Sequence, residues 1–444
     1  MNFSPDSKLF EGAATIGSCM GVTLPYSYTG PKDEYLAGRT SAWLGVCLNV
    51  TPVYVVSGPD AAKVFNSCCV NKDFSVMVEG QSKHALICTE QGHLVADGVV
   101  MKGEGTTYRT YWLGPVLQYY VENSGLDVHG EYVSDEYFFQ IDGPKSLEIM
   151  EEATGTDLHD LKFAHNKHVD ICGTDMVVHR LGMSGCLAYE VHGKAEDAEV
   201  AYGRIREVLE SYGGKPQGIG SYGYMNHTVA GYPNQMQHYV YPYWEDEKLF
   251  EFVRDSGIMP IFSPGGSDKD CPEDYCVTPY DISWGYLVNL KHDFVGKDAL
   301  VEAKAAQRRH VVTLEWNADD VGDVFASQFR GTDVEPYDAL EYPQPVDSNY
   351  GLVHGDKVLL DGEKIGIAVG RTYAYYEQRM VSLAYLDTSV EAPEGTEVTV
   401  VWGDEGHPQK LIRATVAQFP YYQGEYRNET FDVEKIPHLA DKQK

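Results

Sequence analysis

Basic residues are scarce in this 444-residue chain: 35 lysines and arginines stand against 66 aspartates and glutamates, for a formal net charge of −31. A field of that sign repels phosphate backbones and excludes nucleic acid as a partner class. An anionic small molecule must likewise be held by local Arg or Lys groups. No apolar run approaches the roughly 18 residues that a membrane-crossing helix needs. The first residues, MNFSPDSKLFEG, have neither the basic stretch nor the apolar core of a secretion signal. The expectation is a cytoplasmic protein with no membrane partner. Cysteine is present but unorganised. Nine residues, including the adjacent pair Cys68 and Cys69, sit at no framework spacing and predict reduced thiols. The Asn-x-Thr triplets at Asn49, Asn226 and Asn428 then carry no glycosylation meaning. Internal repeats and low-complexity tracts are also missing.

Apolar residues make up 43% of the chain, ample for two or three domains around a shared site. The segment LNVTPVYVVSG, Leu48 to Gly58, reads as β-rich and is followed by a short helix over AAKVFNSCC. Phe138 to Ile141 reads as a strand, Gly143-Pro144 opens a helix with Leu147 and Met150, and Val177–His179 pairs with Ala188–His192. Tyr202, Ile205, Leu209 and Tyr212 share one face of an amphipathic helix that Gly213-Gly214 stops. From about Arg309 the pattern becomes short strands punctuated by glycine: HVVTLEW, KVLLDG, KIGIAVG, MVSLAYLD, TEVTVVWG and IRATVAQF. That is the signature of a small antiparallel barrel, and the whole reads as α+β. The tail after Tyr426 is polar and is expected to fray.

Several motifs fail on context. Gly218 to Gly223 satisfies G-x-G-x-x-G, but it follows a helix, and NHTVAGYPNQ makes a poor helix, which argues against a dinucleotide site. His165, His168 and Asp170, and the pair Cys271 and Cys276, lack a second pair at zinc spacing, so no metal is expected. G-x-S-x-G is absent, which leaves a serine hydrolase unsupported.

Four blocks carry a family resemblance: YDISWGYLVNLKHDFVGKDAL (Tyr280 to Leu300), FQIDGPKSLEIM from Phe139, LGMSGCLAYEVHG from Leu181, and KIGIAVGRTYAYYEQRMVSLAYL from Lys364 to Leu386. In this order they resemble the aminomethyltransferase (glycine-cleavage T-protein) family, and within it the tetrahydrofolate-dependent O-demethylases of vanillate and syringate type. The resemblance implies an aminomethyltransferase-like multidomain fold: a folate-binding region over 1–305, in two subdomains, a barrel over 306–430 and a polar tail over 431–444. Tetrahydrofolate is the implied cofactor and a methoxyarene the implied small-molecule substrate. The products would be a phenol and 5-methyltetrahydrofolate.

Carried over residue by residue, the resemblance gives Glu190 to the pterin, since a carboxylate can accept two parallel N–H donors from a 2-amino-4-oxopyrimidine edge. Gln140 is implied as a further folate or substrate contact, its alternative being a satisfied strand residue. Asp97 aligns with an acidic loop and either touches ligand or caps a turn. Tyr232 stands where the demethylases have a tryptophan. Tyr224 is implied as catalytic: an unperturbed tyrosine, with pKa about 10, matches a departing phenol and can protonate the ether oxygen. The resemblance makes the stretch from Gly218 a turn lining the active cavity, its glycines serving close backbone approach, and His227 in the same turn is the next candidate. Tyr26 and Tyr28 correspond to aromatic residues near the substrate. Asn49 stands where the demethylases have a histidine pair, and Arg109 is the one arginine near the place of their substrate-carboxylate ligand, so the arene here either lacks a carboxylate or is held differently. The rival readings are an aminomethyltransferase or N-demethylase, and a non-catalytic folate-binding regulator, whose Lys-Gly-Cys-Tyr-x-Gly-Gln motif this chain lacks. Oligomeric state is left open.

Overall fold

The computed structural model describes residues 3–235, 237–258, 261–340 and 350–442. Three sheets organise it. The first runs in the order Asn166–Ile171, Thr174–His179, Ala188–Lys194, Glu136–Asp142, Trp43–Gly45 and Lys215–Gln217. All of its pairs are antiparallel except the last. Its strand Glu136–Asp142 is buried on both sides, and the alternation divides the work. Tyr137, Phe139 and Ile141 join Tyr202, Ile205 and Leu209 of the helix Ala198–Ser211 in one core, with Phe139 edge-on to Tyr202 at 5.5 Å. Gln140 and Asp142 fall on the opposite face.

The second sheet, Ser82–Cys88, Leu94–Lys102, Tyr108–Tyr111, Val53–Ser57 and His129–Val133, is antiparallel throughout. Its core continues under the helices Ala61–Cys68, Val116–Asn123 and Glu247–Asp255. The third is the expected barrel. Tyr350–Leu360, Glu363–Ala374, Arg379–Asp387, Arg309–Trp316, Lys410–Ala417 and Glu397–Trp402 form six antiparallel strands, closed where Val358 pairs with Val400. Closure removes the exposed edges. The strand Ile261–Gly265 adds in parallel to Tyr350–Leu360.

Four local expectations are corrected. Within Leu48–Gly58, residues Cys47–Val50 form a 3-10 turn and the strand begins at Val53. The turn is pinned by Asn49, whose Nδ2 donates to the Val46 carbonyl at 2.8 Å while its Oδ1 accepts the Phe138 N–H at 2.9 Å. The glycine motif opens a helix, Ile219–Ala230, and follows the strand Lys215–Gln217. The helix Ala318–Ser327, capped by Asn317, lies after the first barrel strand and was not expected. The tail is packed: Phe431, Val433 and Ile436 are buried, and the Arg180 guanidinium donates to the Phe431 carbonyl at 2.9 Å. All nine cysteines are free, as expected. Among the described residues no helix is long and apolar enough to cross a membrane.

Candidate active site

Glu190 is set on the strand Ala188–Lys194 directly opposite Gln140 on one side and His179 on the other. It is 6% exposed, and its Oε2 lies 3.3 Å from His179 Nδ1. Apart from His179, no described residue offers this carboxylate a hydrogen-bond donor. A buried anion with unused acceptor capacity is costly unless a ligand meets it. Two N–H groups from an aminopyrimidine would do so, and on that ground the site fits the pterin of a folate.

Next to Glu190 a polar chain runs back into the sheet. The Tyr222 hydroxyl donates to Gln140 Oε1 at 3.0 Å, and Gln140 Nε2 donates to Asp142 Oδ2 at 3.0 Å. Ser184 Oγ donates to the other Asp142 oxygen. Burial pushes Asp142 up to about 7 against the pull of the Ser184 hydroxyl and the Arg39 charge. Tyr222 stands edge-on to Trp43, with ring centroids 5.7 Å apart. Its pKa is pushed well up by burial and by the nearby Cys47, Glu190 and Asp142. Gln140 is fully buried with both ends of its amide engaged, the arrangement of a satisfied strand residue.

The helix carrying Tyr222 starts at Gly218 because the Glu34 carboxylate occupies its N-terminus. Glu34 Oε2 accepts from the Gly218 N–H at 2.9 Å and from Ser221 Oγ at 2.7 Å. Its Oε1 accepts from the amides of Tyr28, Thr29 and Gly30 and from Ser27 Oγ. This protein carboxylate fills the place a phosphate takes in a dinucleotide fold, so that reading still fails, for a different reason. A Cβ at Gly218 would meet the Tyr26 carbonyl at 2.1 Å, which makes close approach the role of that glycine. Tyr224 belongs to this helix rather than to a turn; its side chain lies outside the described residues.

A second, half-buried carboxylate stands near this helix. Asp97 sits within the strand Leu94–Lys102, so it caps no turn. Its Oδ1 accepts from the hydroxyls of Tyr239 and Tyr241, each at 2.6 Å, and its Oδ2 lies 3.2 Å from His84 Nε2. Burial works to raise its pKa, but the His84 contact and charge and the two hydroxyls win, and the group is held below the usual range. His227 is near enough for the Asp97 charge to act on it, yet burial dominates and lowers its pKa to about 4. Its Nδ1 faces the Tyr232 carbonyl at 3.0 Å and its Nε2 faces Asn234 Nδ2 at 3.3 Å. A neutral imidazole that spends its N–H on Tyr232 has no proton to donate from Nε2, so His227 is a poor reserve acid. Tyr232 itself packs against the Arg427 guanidinium, 5.7 Å from the ring.

The remaining expected residues are dispersed. Tyr26 packs its ring against Gly17 and Gly220. Tyr28 is a core residue: its hydroxyl donates to the Leu9 carbonyl at 2.6 Å and lies 3.4 Å from that of Tyr202, away from the Glu190 face. Asn49 is the structural pin described above. Arg109 lines a cleft of about 620 Å³ between the first two sheets, together with Tyr111, Glu136, His168, Asp175 and His192. Its guanidinium is paired with Glu136 at 2.6 Å. Sequence reasoning missed Tyr222, the tyrosine pair on Asp97, and the histidines His179 and His192. The only available signal for the last two was their two-residue and cross-strand spacing to Glu190, which needs the register to be known.

Comparisons with known proteins identify the family and the fold. The GCVT N-terminal domain model matches residues 8–229. The chain is 43% identical to a sesamin methylene transferase of Sinomonas sp. (strain No.22), over 98% of both chains. It is 27% identical to a syringate O-demethylase of Sphingobium sp. (strain NBRC 103272 / SYK-6), over 90% of this chain and 91% of that one. In fold it is similar to the glycine cleavage system aminomethyltransferase T from Bartonella henselae, with a TM-score of 0.68 at 16% identity, covering 94% of this chain and 97% of that one. The chain therefore belongs to the GcvT aminomethyltransferase family and is an enzyme whose cofactor is tetrahydrofolate.

Proposed function

We propose that this enzyme removes the methyl group of a methoxylated aromatic compound and releases the phenol. The observation that carries the folate half of this reading is the Glu190 carboxylate, buried and faced by no donor but His179 among the described residues. Tetrahydrofolate supplies the nucleophilic nitrogen that accepts the one-carbon unit. The chain's own task is to align donor and acceptor and to manage one proton. Glu190 holds the aminopyrimidine edge. Tyr224 gives its hydroxyl proton to the ether oxygen as the C–O bond breaks. Asp97, kept anionic by two tyrosines and His84, supplies fixed negative charge on the far side of the site. The aromatic substrate rests on the likeness to the syringate O-demethylase.

A second reading is favoured by the 43% identity to a sesamin methylene transferase. A methylene unit leaving an aryl ether must come from an O–CH2–O bridge, and its transfer yields a catechol and methylenetetrahydrofolate. One experiment separates the two. Tetrahydrofolate is incubated with the enzyme and a panel of methoxyarenes and methylenedioxyarenes, and both products are followed by mass spectrometry. Phenol appearing with 5-methyltetrahydrofolate supports the first reading, and catechol with the methylene form supports the second. Neither product from any arene leaves an aminomethyltransferase or N-demethylase.

A further inference from the structure

Beside Glu190 stand two histidines that the folate reading does not use. His179 is fully buried and His192 is 3% exposed. Their Nδ1 atoms each face a carboxylate at 3.3 Å, Glu190 and Glu136 respectively, while neither buried Nε2 has a hydrogen-bond partner among the described residues. Native interiors rarely leave polar atoms in that state without a ligand, ion or water to meet them. Pairing register explains why they converge. His179 lies across from Glu190, and His192 follows Glu190 by two residues on the same face.

One ligand atom each from His179, Glu190 and His192 can be chosen so that all three lie within 4.8 Å of one another. Ligands that share a zinc ion lie about 3.3 to 3.5 Å apart, given bonds of about 2.0 to 2.2 Å, so closure needs movements of about 1.5 Å at most. Two imidazoles and a carboxylate, with one position left open, form a set that zinc-class ions take. A carboxylate also stands behind one ligand, as such sites require. Glu136 Oε1 lies 3.3 Å from His192 Nδ1, and Glu136 is itself paired with Arg109 at 2.6 Å and accepts the Tyr111 hydroxyl at 3.0 Å. The cleft that has His192 in its wall supplies a way in.

We propose that His179, Glu190 and His192 form a binding site for a divalent ion of the zinc class, and that the ion competes with folate for Glu190. The competition rests on the folate reading above; the site itself does not. Full-length protein freed of metal by a chelator is titrated calorimetrically with zinc alone, then in the presence of tetrahydrofolate. One equivalent should bind, at least tenfold more weakly in His179→Gln and His192→Gln. His407→Gln, altered at an exposed barrel residue paired with Asp338 and away from the cleft, should bind as the unmodified protein does. Linkage requires zinc and folate to weaken one another by the same factor. Thermal unfolding of each apo variant checks that it folds. No stoichiometric zinc binding, or undiminished binding in folded His179→Gln and His192→Gln, would overturn the site. Zinc binding unaffected by bound folate would overturn the sharing of Glu190. Should the unmodified protein bind no folate at all, the functional reading falls while the zinc titration still decides the metal site.

Discussion

Glu34 holds Gly218 across 184 residues of sequence: its Oε2 accepts the Gly218 N–H at 2.9 Å, at the head of the helix Ile219–Ala230, to which Tyr222 and Tyr224 belong. Six donors converge on this one carboxylate, which is fully buried. Glutamine has the same shape, but its NH2 end cannot accept. Glu34→Gln should therefore cost about 3 kcal/mol or more. Urea unfolding measures it, and a loss below about 1 kcal/mol would show that the anchor is dispensable.

Glu190→Ala removes the acceptor proposed for the pterin edge. Loss of a charge-assisted pair should weaken tetrahydrofolate binding by about 2 to 4 kcal/mol, read in a calorimetric titration. Unchanged affinity sinks the pterin assignment.

Tyr224→Phe should leave folate affinity nearly intact and slow one-carbon transfer by roughly 10²- to 10⁴-fold, because leaving-group protonation is needed only in the reaction. An aryl ether with a more electron-withdrawn leaving group should recover part of the rate. Full activity of the variant on the natural substrate would remove the acid role from Tyr224.

Arg109 is already neutralised by Glu136, 2.6 Å away, and no longer offers a free guanidinium to a benzoate. Neutral or amine-bearing methoxyarenes should therefore match or exceed vanillate and syringate in kcat/KM. Faster turnover of the two benzoates across such a panel would contradict this.

Asp142 gives a pH signature. Its pKa is raised to about 7 in the fold from the model-compound value of 3.8, so between those values the folded state binds the proton more strongly than the unfolded chain does. Stability must then fall as pH rises through that window, by on the order of 4 kcal/mol from this group. Asp142→Asn cannot ionise, and a flip of the Gln140 amide can restore its hydrogen bonds. The variant should show a flatter stability profile between about pH 4 and 7 in denaturant titrations. An unaltered slope would mean that Asp142 ionises freely.

By itself the sequence determined the α+β class, the barrel strands and the family. Each is written locally, as alternation of period two between glycine turns or as contiguous blocks such as Tyr280 to Leu300. It also placed Glu190 on a strand, though within Ala188–Lys194 rather than at its end. The helix Ile219–Ala230 was out of reach because glycine-rich sequence has poor intrinsic helicity, and the helix is set by Glu34 at its head and by the passing backbone of Tyr26. The same holds for the site. That Tyr222 meets Gln140, that Tyr239 and Tyr241 bracket Asp97, and that Tyr28 spends its hydroxyl on Leu9 follow from strand register and sheet packing. Those contacts join residues from 19 to 144 positions apart, a separation at which no local pattern records the partner. Only the tertiary structure decides them, because a hydrogen bond or a buried charge depends on where the chain returns.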